Sequence, residues 1–221
     1  MGGSDCERIG HGFFAQPSNV LSSIAYLVVG VLLLQRALTG RPRGALIAYA
    51  TTVIGVGVGS IAYHGPTPSW GHFAHDLSIA AVLAFVVGND VALARGARVR
   101  TGMALFAVLV GTSAIVLAVT PDASNALDAV LVVAAVGAEL AASRSSSGRT
   151  TRPAWAWIVG VAVLTVGVAL NALGRTDAPL CDPDSPIQLH ALWHLITAFV
   201  LWLYGTAVLE LRERGRRIIP A

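Results

Sequence analysis

Seven apolar stretches, each about as long as a bilayer is thick, decide what this chain can fold into. They run Asn19–Leu38, Gly44–His64, Phe73–Ala94, Thr101–Val119, Ser124–Ala142, Ala154–Leu173 and Leu189–Leu211. A helix needs about 20 apolar residues to cross the hydrocarbon core, and only a helix lets one segment satisfy all of its own backbone groups there. Composition agrees. The 221 residues are 55% hydrophobic and 12% charged, with mean hydropathy +0.69, whereas soluble domains carry about 25% charged residues. The expected fold is all-α and polytopic: a single seven-transmembrane helix bundle over residues 1–221, with segment 1–18 ahead of the first span and a tail 212–221 after the last. The N-terminus, with Asp5 and Glu7, lacks the basic-then-apolar order of a cleavable signal.

The charges give an orientation. There is no lysine, and all fifteen basic residues are arginine. Arg36, Arg41 and Arg43 follow the first span, and Arg95, Arg98 and Arg100 the third. Arg144, Arg149 and Arg152 follow the fifth, and Arg212, Arg214, Arg216 and Arg217 the seventh. The three alternate loops hold Arg175 alone. By the positive-inside rule the C-terminus is cytoplasmic and the N-terminus extracytoplasmic. Arginines spread over separate loops form no basic face, so a nucleic-acid partner is excluded. Gly55-x-Gly57-x-Gly59 lies inside a span and lacks the Lys-Ser/Thr of a phosphate loop, so it reads as close helix packing by small residues.

Ionisable groups inside a membrane are costly and mark function. His190 and His194 are four apart, on one helix face, in the first turns of the last span. Ser60 and His64 are likewise four apart, at the end of the second span, and Asp76 lies one turn into the third. With the orientation above, all five side chains fall at one depth near the outer leaflet. Three histidines with an open fourth position make the usual catalytic zinc site, which lowers the pKa of a bound water to about 7. Asp76 suits the proton carrier. Ser60 suits a hydrogen-bonding partner of the water or of a developing oxyanion, or alternatively bonds back to a helix carbonyl. His72, one turn before Asp76, reads as a further ligand or as an interfacial anchor. His11 and His75 read as polar anchors, and Asp90, Asp128 and Glu139 as interfacial charges. Asn19 and Asn171 either line the cavity or cap and bridge helices.

Ser60-x3-His64, then Asp76, then His190-x3-His194 across seven spans resembles the CREST superfamily of membrane hydrolases. The resemblance is closest to the alkaline ceramidases, in the extracytoplasmic N-terminus, in Cys6-Glu7 before the first span, and in Leu189-His190-Ala191-Leu192-Trp193-His194. It implies that His64, His190 and His194 bind zinc and that Asp76 and Ser60 assist the metal-activated water. The implied substrate is a membrane lipid amide, ceramide or a related N-acyl lipid, cleaved to fatty acid and amine base, with no obligatory protein partner. It also implies a calcium site near the N-terminus. Here Asp5 and Glu7 are the candidate ligands, although Asp5 stands where the eukaryotic enzymes have tryptophan and Gln16 where they have a later glutamate. Cys6 and Cys181 both fall on the outer side, where disulfides persist. The family has a comparable bridge from the N-terminus to the last loop, which implies a Cys6–Cys181 disulfide in place of two free thiols.

Two other functions compete with a lipid amidase. A receptor-like signalling protein with structural zinc would carry long loops for partners, but the longest connection here is the 15 residues of Gly174–Gln188. An ion or proton transporter would continue its polar groups to the inner side, where spans two and seven are almost wholly apolar.

Overall fold

The computed structural model describes residues 5–39, 43–145 and 154–210. Among these residues seven long helices follow one another: α1 (Pro17–Leu38), α2 (Gly44–His64), α3 (Gly71–Ala94), α4 (Val99–Val119), α5 (Ser124–Arg144), α6 (Ala154–Leu173) and α7 (Leu189–Tyr204). A single 3₁₀ turn, Pro121–Ala123, precedes α5, and a π-helical turn, Gly205–Glu210, continues α7. All seven are long and apolar enough to cross a membrane. The expected tail and the arginines at 41, 149, 152 and 212–217 lie outside the described residues.

Four helices, α1, α3, α4 and α5, reach beyond the apolar stretches because backbone bonding continues into polar ends that hydropathy does not count, whereas α-helical winding in α7 stops at Tyr204, short of the expected Leu211. α1 begins at Pro17, whose fixed φ and missing N–H suit a first helical position. α3 and α4 each begin two residues earlier than expected, and α5 runs on to Arg144. The winding of the last helix changes at Gly205. A Cβ there would stand 2.7 Å from the Leu33 side chain and 3.2 Å from the Tyr49 ring, so the helix end is pressed against α1 and α2.

α1 packs on α2 and α7, α6 packs on α7, and α3 packs on α2, α4 and α5. Tyr26, Leu33, Leu46, Tyr49, Val53 and Phe85 form the common core. The outer faces of α4, α5 and α6 are apolar and exposed, as at Val108, Ile115, Val130, Val133, Ile158 and Val166. So much bare apolar surface is consistent with an integral multi-pass membrane protein.

Two glycines of α2 set close approaches. A Cβ at Gly57 would meet Leu27 of α1 at 2.6 Å, and one at Gly59 would meet the Ala74 carbonyl of α3 at 2.7 Å. These contacts draw α1 and α3 against the end of α2 that carries His64. At the other end of α3, Asp90 is fully buried rather than interfacial. Its Oδ1 accepts from Asn89 Nδ2 and from the Tyr204 hydroxyl, both at 2.9 Å.

The segment before α1 is a strap across the His64 end of the bundle. Cys6 and Cys181 are joined by a disulfide, with Cα atoms 5.6 Å apart. The Cys6 N–H donates to Thr176 Oγ1 at 3.2 Å and the Arg8 N–H to the Pro183 carbonyl at 3.1 Å. The Arg8 guanidinium grips both carboxylate oxygens of Asp184, at 2.6 and 2.5 Å. This hydrogen bonding holds the Asp184 carboxyl below its usual range and raises Arg8. The pair therefore helps the strap above the ordinary carboxylate range and is lost as pH falls through the lowered value of Asp184. Both side chains are exposed, so salt screens it and the disulfide is the firmer tie.

Maleimide treatment of the purified protein should add no label, and two labels after reduction and unfolding. Labelling of the unreduced, unfolded chain would contradict the bridge.

Candidate metal centre

Three helices deliver the site. His64 closes α2, Asp76 stands in the second turn of α3, and His190 and His194 open α7. His64, His190 and His194 converge so that one ligand atom from each lies within 4.8 Å of the others. Ring centroids are 4.6 Å apart for His190 and His194, 5.1 Å for His64 and His190, and 5.2 Å for His64 and His194. His64 and His194 are 1% and 3% exposed. Three imidazoles packed this tightly, two of them buried, call for something to share.

The outer partners of these rings show which nitrogens point inward. His64 Nδ1 lies 2.7 Å from Gln16 Oε1 and His190 Nδ1 lies 2.9 Å from Asn171 Oδ1. An amide oxygen only accepts, so each Nδ1 carries the proton and each Nε2 keeps its lone pair. The Gln16 amide is oriented independently, because its Nε2 donates to the Glu7 carbonyl at 3.1 Å. His194 Nδ1 faces Ser22 Oγ at 2.9 Å and Ser23 Oγ at 3.3 Å. Both hydroxyls donate to the Asn19 carbonyl, at 3.1 and 2.6 Å, so both accept from His194. Among the described residues, His64 Nε2 and His190 Nε2 are buried with no hydrogen-bond partner. A buried nitrogen without a partner costs about 1–3 kcal/mol. A metal-ligating histidine shows this same pattern, with one nitrogen held by an outer acceptor and the other free for the ion. The residues fit a bound metal.

Ser60 is 1% exposed and bonds to Ser23 Oγ at 2.9 Å. Because the Ser23 proton goes to Asn19, Ser60 is the donor in this contact. It thus joins the shell around His194. Asp76 is buried, with His72 Nε2 3.0 Å from its Oδ2 and His75 Nδ1 2.8 Å from its Oδ1. The His75 ring stacks on Tyr63 at 4.6 Å and lies 5.8 Å from the His64 ring. His75 is therefore part of the site's surroundings rather than a detached polar anchor, and His72 pairs with Asp76. His11 is exposed, as an anchor would be.

A cavity of about 380 Å³ leads to the centre, lined by His72, His75, Asp76 and His190 together with Asp128, Asn171 and Arg175. Asp128 thus faces the cavity rather than an interface. Asp5 lines it too, 3.7 Å from His190 Nδ1 and 3.9 Å from His64 Nδ1. Glu7 does different work. Its two oxygens accept the backbone N–H groups of Ser18 and Asn19, at 2.7 and 2.9 Å, which are unsatisfied donors at the start of α1. So the two acidic residues considered for calcium face different groups. Among the described residues, the histidine trio is the cluster whose ligand atoms lie close enough to share an ion.

Gln16, Ser22 and Ser23 are the partners that sequence reasoning did not assign to the histidines. They sit on α1 or at its start and reach ligands about 50 to 170 residues away. The one available signal was the concentration of polar residues, Gln16, Ser18, Asn19, Ser22 and Ser23, at the head of an apolar span.

A comparison with protein families matches the Ceramidase model over residues 11–217, and the chain belongs to that family. Neither the comparison with curated proteins nor that with solved structures gives a match. Membership makes the chain an amidohydrolase of a metal-dependent family that acts on lipid.

Replacing Gln16 or Asn171 with leucine should weaken metal binding about 10- to 100-fold, by loss of the acceptor that orients a ligand. Competition with a chelating dye measures this. Unchanged affinity in both variants would contradict the outer-shell assignment.

Proposed function

We propose that this ceramidase-family protein is a zinc-dependent intramembrane amidohydrolase. It cleaves the amide of ceramide or a related N-acyl lipid to a fatty acid and an amine base. The observation that carries the reading is the convergence of three imidazoles, His64 and His194 buried and His190 half-buried at the cavity wall, beside a carboxylate within an apolar bundle. Nε2 of His64, His190 and His194 would hold the ion. When bound, zinc supplies Lewis acidity and makes water nucleophilic near neutral pH.

The chain's own groups supply the rest. Asp76 accepts a proton from the attacking water and returns it to the amide nitrogen as the C–N bond breaks. Ser60 donates its O–H in a hydrogen bond to Ser23, which leaves its lone pairs to accept a hydrogen of that water. The His194 network thereby aims the nucleophile as well as the ligand. The apolar helix faces keep the acyl chains in lipid while the amide reaches the polar cavity. By the arginine distribution, the site opens toward the extracytoplasmic leaflet. Each Glu7 oxygen accepts one N–H and keeps a second lone pair, so a calcium ion on Asp5 and Glu7 would serve the strap, while the hydrolysis rests on the zinc site.

The purified protein should contain one zinc per chain and hydrolyse at least one member of an N-acyl lipid panel. His190→Ala should lose zinc and activity together. Asp76→Asn should keep zinc and lose about 10²–10⁴-fold in kcat. Full zinc with no hydrolysis of any lipid would favour a receptor with structural zinc. A folded wild type that binds no zinc would sink the reading.

A further inference from the structure

Asp76 does not stand alone. Each of its oxygens meets a different imidazole of the same helix, Oδ2 at His72 Nε2 (3.0 Å) and Oδ1 at His75 Nδ1 (2.8 Å). The two histidines differ in freedom. The His75 side chain is 17% exposed and its ring is stacked on Tyr63 at 4.6 Å. The His72 side chain is 40% exposed and lies against the same ring less closely, at 5.5 Å. Asp76 itself has an 11% exposed side chain. Of the three, His72 is the one with both a nitrogen on the carboxylate and room to meet water.

We propose that His72 relays protons between Asp76 and the water of the cavity, while His75 positions the carboxylate. The inference rests on the amidase reading above. Its chemistry follows from the proton balance of that reaction. Attack moves one proton from water to Asp76, and C–N cleavage moves it to nitrogen. The fatty acid then holds one hydroxyl proton, which Asp76 takes as the carboxylate product departs. Asp76 must lose this proton before the next turnover. Asp76 passes it to His72 Nε2, the imidazolium turns toward the cavity, Nε2 gives the same proton to cavity water, and the neutral ring swings back with its Nδ1–H unchanged. Asp5, Asp122, Asp128 and Arg175 line the same cavity. His72 both touches the carboxylate and lines the cavity with an exposed ring, so it is the route for that exchange.

Two substitutions separate a relay from a structural partner. His72→Gln keeps an N–H for Asp76 but cannot carry a proton, whereas His72→Ala leaves space for a small base. In zinc-loaded protein, weakly buffered, both should lower kcat about tenfold or more with KM little changed. Added 4-methylimidazole should restore His72→Ala in a saturable way and leave wild type unaffected. Zinc content should stay at one per chain in both variants. His75→Ala should also lose activity but gain nothing from the added base, and His75→Asn should recover part of it. Wild-type turnover by His72→Gln, or a loss in His72→Ala that imidazole does not relieve, overturns the relay. Zinc-loaded wild type that hydrolyses no N-acyl lipid overturns the amidase reading itself and the relay with it.

Discussion

A buried imidazole has two nitrogens to satisfy, and the inside of an apolar helix bundle offers few partners. This constraint organises the structure. At His64, His190 and His194 the bundle supplies one acceptor for each Nδ1, from Gln16, Asn171 and the Ser22–Ser23 pair. Among the described residues it supplies no hydrogen-bond partner for Nε2 of His64 and His190. Evenly satisfied histidines would be polar core residues. Histidines satisfied on the outside alone, and aimed at one another, are ligands.

The same acceptors explain why the N-terminal strap matters. Gln16 orients His64, and Gln16 is itself held by the Glu7 carbonyl. Glu7 also closes the first turn of α1, the helix that brings Ser22 and Ser23 to His194. The residue before it, Cys6, is tied to the loop that leads into α7. Strap, α1 and α7 thus converge on ligands from two different helices. The disulfide fixes the strap relative to those ligands and is more than a clamp on a loose terminus.

Much of this was legible in the sequence for a simple reason. Helical spacing places residues four apart on one face, so Ser60 with His64 and His190 with His194 announced themselves. Apolar length gave all seven helices, and the three small residues of α2 proved to include two tight contacts, at Gly57 and Gly59. What could not be read were the partners. Gln16, Ser22 and Ser23 have no fixed spacing to the histidines they hold, because the contacts run between helices. His75 looked like an interfacial anchor, since its position next to Asp76 in sequence does not show that its ring turns back onto that carboxylate. Asp90 looked interfacial because its hydroxyl partner, Tyr204, lies 114 residues away.

Zinc X-ray absorption on the purified, zinc-loaded protein tests the central claim most directly, because it reports the ligands and not only the presence of an ion. The account predicts three imidazole nitrogens and one oxygen at about 2.0–2.2 Å. His194→Ala should reduce the imidazole count or abolish binding. Two or fewer imidazoles in the wild-type spectrum, or a sulfur shell, would contradict it.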